Sequence, residues 1–217
     1  MSHWTHYFDK IYLINLPDRA DRLRQATEEL QRYRVPFEVF QAIKADKGAI
    51  GLYNTMMELF RKTDTPEYWN ILVFEDDVRF VNDPNEYMPR CVEQLQKLNW
   101  DLFYMGINMD NDQNLFNGFT DSNILNLKFG YSTHALAWSR PARTTVLQQS
   151  TEFIRNHMPI DVFIAKNIHP AGNCYCSYPL LATQQDGYSD IENKESTYGY
   201  IEQRYNHSVS HLLKQKS

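Results

Sequence analysis

What the chain is short of narrows its roles. Cysteine is scarce. Cys91, Cys174 and Cys176 are an odd set, too few for a disulfide framework or for a four-ligand zinc site built from cysteine alone. Buried free thiols in a reducing compartment are the expectation. Positive charge is not in excess. A net charge of −5 gives no basic surface for nucleic acid. No apolar run is long enough to span a membrane. The polar and aromatic start, Met1 to Lys10, has no secretory apolar core. A cytoplasmic protein is expected, with no transmembrane segment and no nucleic-acid partner. Internal repeats, low-complexity stretches and linkers are also missing. Residues 1–217 therefore read as a single domain, long enough for a sizeable core.

What is present begins with one stretch, Asn70-Ile71-Leu72-Val73-Phe74-Glu75-Asp76-Asp77-Val78. Four apolar residues followed at once by three carboxylates read as a fully buried strand that stops at an acidic mouth. Ligands of open α/β sheets bind outside the carboxyl ends of the strands. Period-two geometry predicts Glu75 and Asp77 on one face and Asp76 on the other. Neighbouring carboxylates repel and are best tolerated around a divalent cation. A solvated turn or a pair of helix caps would explain the same residues.

Around that strand the chain alternates. Lys10 to Asn15 is a β-rich run. Asp18 is placed to cap a helix running from about Arg19 to Arg32. Val35 to Ala42 alternates as a second strand, and Gly48 and Gly51 open a second helix. This β-α-β-α-β order implies parallel strands with helical crossovers. Asp83-Pro84 starts a third helix, and Trp100 to Gly106 is a fourth strand. Ile107 to Ser122 is rich in Asn and Asp and reads as a long loop. Asn123 to Phe129 and Thr133 to Trp138 are further strands, Pro141 to Gln149 a short helix, and Asn173 to Tyr178 a last strand. Gln184 to Thr197 looks irregular, and Gly199 to Lys214 a terminal helix. The fold class expected is α/β, with a mostly parallel central sheet and helices on both faces.

Several of these segments, in order, resemble glycosyltransferase family 25, the lipooligosaccharide and procollagen galactosyltransferase-like group. They are Ile14-Asn15-Leu16-Pro17-Asp18-Arg19-Ala20-Asp21-Arg22, Ala42 with Gly48-Ala49-Ile50-Gly51, Glu75-Asp76-Asp77-Val78, Ala135-Leu136-Ala137-Trp138-Ser139, Pro159-Ile160-Asp161, and Pro179-Leu180 with Gln184 or Gln185 and Ser189-Asp190-Ile191. The family's Cys-x-x-Ser-His after the glycine pair is replaced by Leu52-Tyr53-Asn54-Thr55.

The resemblance implies a single GT-A-like (Rossmann-like) domain that transfers a hexose from a nucleotide sugar. UDP-galactose would be the donor, a glycan or protein hydroxyl the acceptor, and the transfer would invert. It implies Mn²⁺ or Mg²⁺ as cofactor. Asp77 and Glu75 would be metal ligands, with His134 a further candidate. Asn15, Arg19, Arg22, Glu75 and Asp76 would bind the donor, the arginines by their planar fork of donors to phosphate. Asp161 would be the general base, unless it serves only as a helix cap, and Asp190 the second catalytic candidate. The missing Ser-His pair leaves a catalytically silent relative, acting as a glycan- or protein-binding module, as the alternative. A receiver domain is disfavoured, because strands and helices precede the acidic run.

Overall fold

The computed structural model describes residues 3–109, 115–149, 158–189 and 194–214. Its frame is an eight-stranded sheet. The strands are β1 (Lys10–Asn15), β2 (Glu38–Gln41), β3 (Asn70–Glu75), β5 (Leu102–Tyr104), β6 (Phe116–Asp121), β7 (Ile124–Leu127), β8 (Ala135–Ser139) and β9 (Cys174–Ser177). Their order is β2-β1-β3-β8-β5-β9-β7-β6. β1 pairs in parallel with both β2 and β3, and β5 with β9. β8 runs antiparallel to β3 and β5, and β7 to β9 and β6. β7 and β8 are thus the two reversed strands, and the sheet is mostly parallel. Short strands β4 (Val78–Phe80), β10 (Ala182–Gln184), β11 (Gly187–Ser189) and β12 (Lys194–Ser196) form two small ribbons, β4 with β10 and β11 with β12.

Alternation within β1 and β3 builds a core on each face. Tyr12, Ile14, Ile71 and Val73 belong to one core, and Ile11, Leu13, Leu72 and Phe74 to the other. Leu72, Val73 and Phe74 are all buried, as a strand covered on both faces requires. The helices divide the same way. α1 (Ala20–Arg32) and α3 (Pro84–Leu95) cover the second core through Ala26, Leu30, Met88 and Leu95. α2 (Gly48–Thr63), α4 (Arg140–Gln148), α5 (Ile160–Asn167) and α6 (Gly199–Lys214) cover the first through Met56, Phe60, Val146, Phe163 and Tyr205. Asp83 caps α3 as expected, accepting from the Asn85 N–H at 2.8 Å, with Pro84 at the first position. Cys174 and Cys176 are buried free thiols in the same core, and Cys91 is a third, in the other core.

Some local expectations fail for identifiable reasons. Asp18 does not cap α1. Arg19 holds that position without a side-chain cap, and Asp18 pairs with Lys44. The second strand is shorter than Val35–Ala42, because Val35 turns into the core and Pro36 cannot donate to a ladder. The Asn-rich loop gives way to β6 at Phe116, and residues 184–197, expected to be irregular, carry the β11–β12 hairpin. Those strands come from pairing partners rather than from local pattern.

Arg143 is the least expected core residue. Its guanidinium is buried and donates to the carbonyls of Trp138 at 2.9 Å, Thr63 at 3.1 Å and Tyr68. It ties the end of α2 to the entry of β3 and the end of β8. Burial pulls its pKa down to about 10, so it stays charged at neutral pH. Arg143→Met is expected to cost about 2–5 kcal/mol, because three carbonyls lose their donor inside the protein. Urea denaturation measures this. A variant as stable as wild type would mean that the carbonyls find other partners.

Candidate active site

β3 ends at Glu75, and Asp76-Asp77 form a turn into β4. Strand alternation therefore stops at Glu75, and Asp76 does not point away from Asp77 as predicted. One guanidinium reaches both: Arg22 Nη1 lies 2.9 Å from Asp76 Oδ1 and 3.9 Å from Asp77 Oδ2. Arg22 Nη2 also donates to the Tyr188 carbonyl on β11 at 2.6 Å.

Glu75 and Asp77 also receive neutral donors. Thr133 Oγ1 donates to Glu75 Oε1 at 2.5 Å, and Gln184 Nε2 to Asp77 Oδ2 at 3.1 Å. The Gln185 N–H donates to the Asp77 carbonyl at 2.6 Å. Asp77 Oδ1 is buried with no hydrogen-bond partner. Burial raises the pKa of Glu75, and the charge of Asp77 raises it further. Burial also raises Asp77, against the pull of Arg22. Asp76 is pushed up to about 6 by burial, again opposed by Arg22.

These residues line a cleft of about 910 Å³. Asn15 lies on its wall, with Nδ2 bonded to the Leu16 carbonyl and Oδ1 buried without a partner. Arg22 lines it too. Arg19 is absent from the lining and is bound to Asp21 at 3.1 Å. The start of α2 forms another wall. Gly51 is needed there because a Cβ would come within 2.6 Å of the Ile43 carbonyl. Thr55, at the site of the family's missing Ser-His, donates to the Gly51 carbonyl at 2.7 Å and accepts from the Ile43 N–H at 2.8 Å. It fastens the cleft loop to the helix.

Asp161 also lines the cleft, but it is not the cap of α5. Pro159 holds that position, and Asp161 sits in the first turn. Its carboxylate accepts from the Val162 N–H at 2.8 Å and the Ser132 N–H at 3.3 Å. His134 is not among the residues that line the cleft, though its backbone carbonyl accepts from the Glu75 N–H at 2.9 Å. Its Nδ1 is 2.6 Å from Ser132 Oγ, and its Nε2 faces the Gly106 Cα and the Ala182 carbonyl, where a Cβ on Gly106 would approach to 2.1 Å. Burial lowers its pKa to about 4. Asp190 lies outside the described residues. Sequence reasoning missed Thr133, Ser132 and Lys44, whose residue types carry no motif. Gln184 was visible only through the family pattern.

The mouth fits a divalent cation. An orphaned buried carboxylate oxygen and mutual repulsion are what a cation relieves. Among the described residues no cluster of three or more His, Cys, Asp or Glu side chains is placed to hold one.

The fold is a mixed α/β arrangement, GT-A-like in its mostly parallel sheet with helices on both faces. A glycosyltransferase involved in glycosylation of the major capsid of PBCV-1 aligns at a TM-score of 0.54 with 13% identity, over 93% of this chain and 98% of that one. A197 from STIV aligns at 0.50 with 9% identity, over 85% and 90%. No protein-family model matches. In sequence the chain resembles glycosyltransferase family 25, being 22% identical to human inactive glycosyltransferase 25 family member 3 over 72% of this chain. Mouse procollagen galactosyltransferase 2 is 23% identical over 46%. The matches take in 31% and 21% of those relatives, so the chain spans less than a third of their length. No described helix is long and apolar enough to cross a membrane.

The electrostatics give a pH test. A carboxyl whose folded pKa is raised destabilises the fold once pH exceeds its unfolded value. Glu75 should therefore lower stability as pH rises above 4.5, its ordinary value. In EDTA, melting temperature should fall across neutral pH less steeply in Glu75→Gln than in wild type, and added Mn²⁺ should flatten the wild-type curve. Identical slopes in the two proteins would contradict the buried, proton-holding Glu75.

Proposed function

We propose that the cleft binds a nucleotide diphosphate sugar and transfers its hexose to a hydroxyl, with inversion. The observation that carries this reading is the acid mouth at the end of β3, with its unpartnered Asp77 oxygen inside a cleft. Asp77 and Glu75 would hold Mn²⁺ or Mg²⁺, which would neutralise the departing diphosphate. His134 is a support for the Ser132 turn rather than a ligand in this proposal. Arg22 and Asn15 bind the donor, and Asp76 keeps Arg22 at the mouth. Asp161, fixed by two backbone N–H groups, takes the acceptor proton as the new bond forms. Galactose as the sugar and UDP as the carrier rest on the family resemblance.

A second reading has its own support. The first-named relative is described as inactive, and the family's Ser-His is replaced here by residues built into α2. On that reading the cleft binds donor or glycan without turnover.

Calorimetry with UDP and Mn²⁺ separates donor binding from its absence. Wild type should bind. Asp77→Ala should lose Mn²⁺-dependent binding while melting no lower, because the change removes repulsion and leaves Ile71 to Phe74 intact. Unchanged binding would rule out Asp77 as ligand. Nucleotide-sugar turnover separates enzyme from silent module. Asp161→Asn should keep UDP affinity and lose about two to four orders of magnitude in turnover. Near-wild-type transfer would exclude Asp161 as base, and no turnover by wild type with any nucleotide sugar would favour the silent reading.

A further inference from the structure

The cleft has a second wall, away from the acid mouth and built of aromatic residues. Tyr198 and Tyr200 line it at the entry to α6, together with Asn108. Tyr200 is half-buried. Its hydroxyl accepts from Asn108 Nδ2 at 3.2 Å. Arg204, one turn on, stacks its guanidinium 4.5 Å from the ring centroid and donates to the Met109 carbonyl at 3.1 Å. The Tyr198 ring lies 6.5 Å away, tilted by 41°, and its N–H is held by Asp186 at 2.6 Å. Asn108 Oδ1 is buried with no hydrogen-bond partner.

This wall is linked to Asp161. Asn108 and Tyr131 exchange backbone hydrogen bonds of 3.0 and 2.8 Å. The next residue, Ser132, donates its N–H to Asp161. The segment that holds Tyr200 through Asn108 is thus bonded to the segment that holds Asp161.

We propose that Tyr200, with Tyr198 and Asn108, is the acceptor platform and takes a pyranose ring, so that the acceptor is a glycan and not a protein side chain. The inference rests on the glycosyl-transfer reading of the same cleft. A pyranose offers a C–H face that packs on an aromatic ring and hydroxyls that seek an acceptor such as the Asn108 oxygen. A peptide acceptor would be gripped through its backbone along a strand edge. Aromatic rings beside an orphaned amide oxygen do not supply that grip.

The test uses the full chain with UDP and Mn²⁺ and saturation-transfer NMR. The probes are methyl β-galactopyranoside, methyl β-glucopyranoside and a threonine-containing octapeptide. At least one glycoside should receive saturation, and the peptide should receive none. Tyr200→Ala should weaken glycoside binding roughly three- to tenfold, the weight of one aromatic contact, with UDP affinity unchanged. If Tyr200→Ala does not fold, Tyr200→Leu keeps apolar bulk without the ring and should show the same loss. Peptide binding without glycoside binding overturns the proposal. So does UDP binding with neither probe bound, or glycoside binding indifferent to Tyr200. Glycoside binding that depends on Tyr200 in a protein that does not bind UDP would retain the platform and remove the donor reading instead.

Discussion

Three carboxylates at the end of a buried strand cannot all be ionised without something positive close by, and the surroundings of the cleft answer that constraint. β3 has no freedom to move Glu75 outward, because Ile71 to Phe74 are packed on both faces. The repulsion is met locally instead. Arg22 reaches across from α1 to Asp76 and Asp77, Thr133 donates to Glu75, and Gln184 donates to Asp77. Each comes from a different segment, so the acid run gathers α1, the entry to β8 and the β10 ribbon around one point. What these partners leave over is an unpaired Asp77 oxygen and a Glu75 that holds its proton more tightly than usual.

The 184–198 segment connects the two halves of the cleft. Gln184 and Gln185 bind Asp77, the Tyr188 carbonyl receives Arg22, and Asp186 receives the Tyr198 N–H. One stretch of chain thus touches the acid mouth and positions the aromatic wall.

Much of the frame was legible in the sequence because its signals are local. The apolar run before Glu75, the Asp83-Pro84 cap and the β-rich run of β1 depend on residues close in the chain. The acid mouth and Asn15 were legible for the same reason. The orientation of Asp76 was not, because a turn replaced the strand at the residue where alternation was assumed to continue. Arg19 and Arg22 look equivalent in sequence, and only the packing of α1 sends one to Asp21 and the other to Asp76. Arg143, Thr133 and the β11–β12 hairpin owe their roles to partners 58 or more residues away or to cross-strand pairing, which no local pattern records.

Anomalous diffraction from crystals grown with UDP and Mn²⁺ addresses the acid mouth most directly. One manganese peak should appear about 2.1–2.3 Å from an Asp77 oxygen, shared with the diphosphate, with Arg22 moved from Asp76 toward a phosphate. UDP bound elsewhere in the cleft, with no peak at Asp77 and Arg22 still on Asp76, would contradict the role given to the carboxylates.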